Sequence, residues 1–111
     1  GGVTTSTGYG TQRLDVDGAS VSGARTSAQT SANIGALRTA TRNSIPLYVF
    51  APQIAQWTTA SVSFLDTVSS TAFYKSDYSS VQATTTQFDG FTIFCSTATL
   101  TGTYAVYGFN K

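Results

Sequence analysis

The residues of this chain that are able to carry out chemistry are few, and the commonest catalytic base is missing from them. The sequence contains no histidine, which removes both the usual general base and the usual nitrogen ligand of metal ions. All of its acidic residues are aspartates, and they lie at or near predicted strand ends and turns, where Asp caps backbone amides: Asp15, Asp17, Asp66, Asp77 and Asp89. We therefore predict that the protein is not an enzyme and uses no metal or other cofactor.

Two further motifs with chemical potential are better explained as structure. Asp15-Val16-Asp17-Gly18 begins like a calcium-binding loop, but the later oxygen ligands and the closing glutamate are missing, so a turn after a strand is favoured. Cys95 is the single cysteine and lies in the alternating run Phe91, Ile93, Cys95. That run favours a small buried side chain over a nucleophile.

Aromatic rings near predicted loops are the remaining candidates for recognition. Rings flanked by amide, hydroxyl and carboxylate groups serve in binding both sugars and protein partners. The candidate ligand-binding residues are Trp57, Tyr74, Asp77 and Tyr78. The alternative is that these rings are core residues at the ends of strands.

Length, composition and charge indicate one small β domain. The 111 residues are 41% hydrophobic and only 10% charged, with a net charge of +1, so a modest core is available and no basic surface for nucleic acid is expected. About a third of the residues are Ser or Thr, which favours strands and turns. No long apolar run is present, so we expect no membrane insertion. We predict a single all-β domain over residues 1–111, an antiparallel β-sandwich of jelly-roll-like form.

Alternation of apolar and polar residues predicts where the strands lie, with turns rich in Gly, Ser, Asn and Asp between them. The predicted strand ranges are 11–16, 31–37, 45–51, 59–65, 71–78, 89–95 and 100–109. The side chains predicted to point into the core are Ile45, Leu47, Val62, Phe64, Phe91, Ile93 and Val106.

The predicted last strand is apolar on both faces. Alternation places Tyr104 and Val106 on one side and Ala105, Tyr107 and Phe109 on the other. If one set fills the core, the other leaves aromatic rings in solvent unless another subunit or further strands cover them. Exposed apolar patches of roughly a few hundred Å² usually mark interfaces. We therefore predict a homo-oligomer with a contact at Tyr104, Tyr107 and Phe109.

The C-terminal sequence FDGFTIFCSTATLTGTYAVYGFNK resembles the closing strands of β-sandwich domains in the virion proteins of tailed bacteriophages, such as tail fibres, tailspikes and related appendages. Thr101-Gly102-Thr103 and Tyr107-Gly108 match the closing strand of those domains. The upstream stretch GYGTQRLDVDGASVSGARTSAQTSANIG is similar to the middle of the same domains.

The resemblance implies a structural protein of the virion, exposed on the extracellular particle. It implies a distal tail-fibre or tailspike-type module that oligomerises, usually as a homotrimer, touches other virion proteins and attaches to a host-surface glycan or protein. It also implies the C-terminal part of a longer virion protein, because the apolar strands that open those domains are missing here. Two alternatives stay open: a capsid decoration or head-fibre domain without a host ligand, and a carbohydrate-binding module of a secreted protein.

Overall fold

A computed structural model describes residues 7–35, 43–67 and 73–108, and within these ranges the chain is all-β, without a helix. One antiparallel sheet contains five strands in the order β2-β1-β5-β4-β3. The strands are β1 Tyr9–Asp17, β2 Ser20–Gln29, β3 Leu47–Phe50, β4 Thr58–Thr67 and β5 Phe73–Gln82. The prediction of an all-β, antiparallel fold is confirmed at this level. In the described part of the chain, no helix long and apolar enough to cross a membrane occurs.

The turn between β1 and β2 explains why these strands form a hairpin. Asp17 pairs with Ser20, which leaves a two-residue loop whose Gly18 has φ of 55°, a left-handed conformation that glycine adopts at little cost. At the other end of the hairpin the register shifts by one residue between Tyr9 and Thr11. This irregularity in β2 includes Ala28, which has φ of 53°.

The sheet buries one of its two faces, which we call the covered face. On β5 the even-numbered side chains from Ser76 to Gln82 are buried, whereas the odd-numbered ones are not. Val62 and Phe64 of β4 lie on the same face as Tyr78, and these residues form the buried core. The rings of Phe64 and Tyr78 stack with centroids 5.9 Å apart. Partly buried Ile34, Ile45 and Leu47 pack against this core.

Four predicted strands correspond to observed ones: 11–16 to β1, 45–51 to β3, 59–65 to β4 and 71–78 to β5. Residues 71 and 72 lie outside the described residues. The prediction of a strand at 31–37 is wrong for residues 31–35, which form no strand; their Ile34 packs against the core instead. Residues 36 and 37 lie outside the described residues.

The strand and core predictions for the C-terminal segment are wrong wherever that segment is described. Residues 89–95 and 100–108 form no strand, and Phe91, Ile93 and Val106 are exposed rather than inward-pointing. Alternation shows that a segment fits a sheet with one dry face, but it does not supply the neighbouring strand. Within the described residues the sheet ends at β2 and β3, and the C-terminal residues pair with neither of these edges.

Two hydroxyl groups on the covered face form hydrogen bonds with the segment of residues 31–35, which lies over the sheet. The Asn33 backbone N–H donates to Thr11 Oγ1 at 3.1 Å, and the Ser80 hydroxyl donates to Asn33 O at 3.1 Å. Thr11 Oγ1 and Ser80 Oγ lie 2.9 Å apart, and since the Ser80 proton is already used, Thr11 is the donor in this bond. The resulting closed cycle satisfies the two buried hydroxyls and holds residue 33 over the β1–β5 pair.

Candidate functional site

The second face of the sheet, which we call the open face, is exposed to solvent and carries a groove. The antiparallel register aligns one residue from every strand in a row across the sheet: Tyr48, Ser61, Ser79, Gln12 and Arg25. The row beside it contains Phe50, Thr59, Val81 and Gly10. Around these rows lies an open groove of about 590 Å³, which we call the transverse groove because it runs across the strands.

The shape of the transverse groove follows from residue size. Its floor includes Gly10, Ser61 and Ser79, whose small or absent side chains leave space above the sheet. Phe50, at the end of β3, lines the groove at one edge of the sheet with an exposed ring. Arg25 of β2 lines it at the opposite edge. An aromatic surface and a guanidinium group therefore lie at opposite edges of a hydroxyl-bearing floor.

The Arg25 guanidinium is oriented by its neighbour on β1. Arg25 Nε donates to Gln12 Oε1 at 3.3 Å, and the two residues are directly paired across the strands. Between described residues, the ion pairs join Arg13 to Asp15 and Lys75 to Asp77, so no carboxylate of the described chain neutralises Arg25. None of the described residues that line the transverse groove is acidic. The end of the groove at Arg25 therefore carries a positive charge.

The other end of the open face carries the predicted site residue Asp77. Lys75 Nζ donates to both carboxylate oxygens of Asp77, at 2.7 and 2.6 Å. The hydrogen bond from Lys75, and after it one from Ser63, lowers the pKa of Asp77 below its ordinary value. Asp77 is therefore ionised and engaged in an ion pair, with exposed Leu65 and Phe73 on the same face.

The structure does not bring the four predicted ligand-binding residues together. Trp57 is exposed, directly before β4. Asp77 is on the open face, whereas Tyr74 is half-buried on the covered face opposite Asp66. Tyr78 is only 4% exposed and stacks on Phe64, so its ring belongs to the core and offers no face to a ligand. Of the three aromatic rings among them, Trp57 is the most exposed.

Tyr78 takes part in a polar arrangement on the covered face. Burial raises the pKa of Tyr78 above its ordinary value, and the Arg13 guanidinium, directly across the strands, opposes part of that effect. Arg13 Nε is 2.7 Å from Asp15 Oδ2, and the Ser76 hydroxyl donates to Asp15 Oδ1 at 2.7 Å. Tyr78 is therefore a neutral phenol at neutral pH, held in place by its neighbours on β1.

The residues predicted at an oligomer contact are exposed wherever they are described. Tyr104 is 89% and Tyr107 is 87% exposed. Phe109 lies outside the described residues. Neither described ring is covered by the chain's own sheet.

The transverse groove contains residues that the sequence analysis missed, above all Arg25, Gln12 and Phe50. The signal for the first two was present, because the turn after Asp17 was recognised from the sequence. Continuing the pairing outward from that turn places Arg25 opposite Gln12. The sequence around Phe50 does not indicate that this residue lies in the row next to Gln12 and Arg25, because that position depends on how β3, β4 and β5 are paired.

The described residues contain no group of three or more His, Cys, Asp or Glu side chains positioned to hold a metal ion. No protein-family model, no curated protein and no solved structure matches this chain.

Proposed function

We propose that this chain is an oligomerisation and host-attachment module of a bacteriophage virion appendage, of tail-fibre or tailspike type. The resemblance of residues 88–111 to closing strands of such domains suggests the class of protein. In this proposal the domain is a jelly-roll-like sandwich in the assembled particle. Its second layer forms on the covered-face side, next to residues 31–35, and leaves the open face in solvent.

The observation that carries the proposal is the exposure of the C-terminal aromatic rings. Tyr104 and Tyr107 are 89% and 87% exposed, and Val106 between them is exposed too. Burying such side chains is favourable by roughly 25 cal/mol per Å² of apolar surface. Proteins of symmetric particles gain this energy by placing identical segments against one another. A homotrimer in contact with other virion proteins would bury these rings, and it agrees with the resemblance.

The oligomer is tested by removing the two rings together. We expect the unaltered protein to be a trimer in light scattering and sedimentation, and the Tyr104→Ser/Tyr107→Ser variant to dissociate. Each ring buried at a contact centre contributes about 2 kcal/mol or more, which corresponds to roughly 30-fold in the dissociation constant per ring.

The matched control for this experiment is Tyr48→Ser, because Tyr48 is exposed on the open face and should leave the trimer intact. Circular dichroism must show the same β content in all variants. An unaltered protein that stays monomeric at every concentration contradicts the proposal and favours the secreted carbohydrate-binding alternative.

The attachment role is tested with Trp57, the exposed ring directly before β4. We expect particles carrying Trp57→Ala to adsorb to host cells more weakly, by about tenfold or more, because an exposed Trp is a frequent centre of recognition. The trimer should be unchanged. Phe73→Ala, which removes another exposed ring, is the control and should adsorb normally. Equal adsorption by the Trp57 variant and the unaltered particle would favour a capsid decoration domain without a host ligand.

A further inference from the structure

The direction of the transverse groove restricts what it can hold. Tyr48 and Arg25 stand at opposite ends of a row through all five strands, and four strand spacings amount to about 19 Å. A groove of this length that crosses the strands accommodates an elongated ligand lying across the sheet.

The chemistry of the floor favours a sugar chain over a peptide. Thr59, Ser61 and Ser79 provide hydroxyl groups, which both donate and accept hydrogen bonds and so match the hydroxyls of a saccharide. Phe50 provides an exposed ring at the end of the groove, suited to the apolar face of a sugar ring. Tight peptide recognition relies on deep apolar pockets for anchor side chains, whereas this floor is shallow, and its three hydroxyl groups lie on a mostly apolar surface like that which a sugar ring contacts.

The Arg25 guanidinium at one end of the groove favours a ligand with an anionic group. Arg25 uses Nε for its bond to Gln12, which fixes the plane of the guanidinium and leaves the terminal nitrogens for a second partner. A guanidinium presents these donors in a fork that fits both oxygens of a carboxylate. Among the described residues that line the groove, no acidic side chain competes for Arg25.

We infer that the transverse groove binds a carboxylated saccharide chain, with Arg25 pairing with a carboxylate, Phe50 stacking on a sugar ring and the hydroxyl-bearing floor contacting sugar hydroxyls. The inference rests on the proposed attachment function only for where the saccharide occurs, on a bacterial surface. The site itself is separate from Trp57 and from the C-terminal rings of the oligomer contact.

Binding is measured by calorimetry on the full chain with two probes, oligogalacturonate and a short sialic acid polymer. We expect at least one to bind, and its methyl ester to bind about tenfold more weakly or worse, because the charge on which Arg25 acts is gone. Arg25→Gln should lose about tenfold or more toward the acid and little toward the ester. Phe50→Ala should weaken both forms.

Lys75→Gln is the matched control, because it removes a cation from the other end of the open face; its affinity should equal that of the unaltered protein. No binding of either probe, equal binding by Arg25→Gln, or equal affinity for acid and ester overturns the inference. Tighter binding of poly-L-glutamate than of both saccharides overturns it in favour of an acidic peptide.

The same measurements separate this inference from the proposed function. Saccharide binding by the Tyr104→Ser/Tyr107→Ser variant supports the groove whether or not that variant is monomeric. A stable trimer that binds neither saccharide overturns the groove inference and leaves the oligomer proposal standing.

Discussion

Replacing Phe64 by alanine is expected to lower the free energy of unfolding by about 3–5 kcal/mol, the largest stability effect of any single change considered for this chain. Phe64 is 6% exposed, and its ring stacks on Tyr78. The buried core of the described residues consists of Val62, Phe64 and Tyr78, so few neighbours are present to fill the cavity. Small domains have about 5–15 kcal/mol in total, and urea unfolding followed by circular dichroism will show the loss directly.

Phe94→Ala is the matched control for this change, because it removes the same ring from a position that is 62% exposed. Both variants are made in the Tyr104→Ser/Tyr107→Ser background, so that contacts between subunits do not contribute. There the Phe94 variant should stay within about 0.5 kcal/mol of its parent. Similar losses for the two phenylalanines would show that the C-terminal segment belongs to the core of the single chain.

Gly35→Ala is expected to destabilise the domain by about 2–5 kcal/mol, since two separate costs combine. Gly35 has φ of 147°, a conformation that side-chain-bearing residues rarely adopt. A Cβ atom there would also lie 2.8 Å from Cε1 and Cζ of Phe64. A shift of the ring to relieve this contact would disturb its stack with Tyr78. Thermal and urea unfolding give the size of the effect.

Substitutions at two other glycines separate the cost of the backbone conformation from the cost of the steric contact. Gly18 also has a positive φ, but no atom lies within 4 Å of the position of its Cβ, and Gly90 has neither a positive φ nor a close neighbour. Gly18→Ala should therefore show strain alone, about 1–2 kcal/mol, and Gly90→Ala should be close to neutral. In the Phe64→Ala background, Gly35→Ala should cost less than in the unaltered protein. An undiminished cost there would rule out the clash with Phe64 as a cause.

The strands that the sequence predicts correctly are those with an apolar face. In β4 the alternation of Val62 and Phe64 with serine is strong, and both residues are buried. β2 escaped prediction because Ser20–Gln29 is polar or small on both faces, and it joins the sheet through backbone pairing with β1. The strand predictions within residues 89–108 are wrong for the opposite reason. Their alternation is clear, but their backbone has no partner strand within the described chain.

The candidate site was predictable only in its local parts. The exposure of Trp57 agrees with its place beside a strand end. Tyr78 sits among polar residues in the sequence, which suggested a surface ring, but the period of two along β5 places it on the same face as Ser76 and Ser80. The transverse groove depends on four registers at once, and no short stretch of sequence encodes that combination.

The position of β5 between β1 and β4 also determines when this chain can fold. The central pair joins residues far apart in sequence, as in the bond between Thr11 and Ser80 across 69 positions, and contacts of such separation form slowly because a long loop must close first. The polar hairpin of β1 and β2 is at best marginally stable alone. During synthesis on the ribosome the complete sheet therefore forms only after residues 73–82 have been made, and until then β1 and β4 each lack the neighbour that β5 provides.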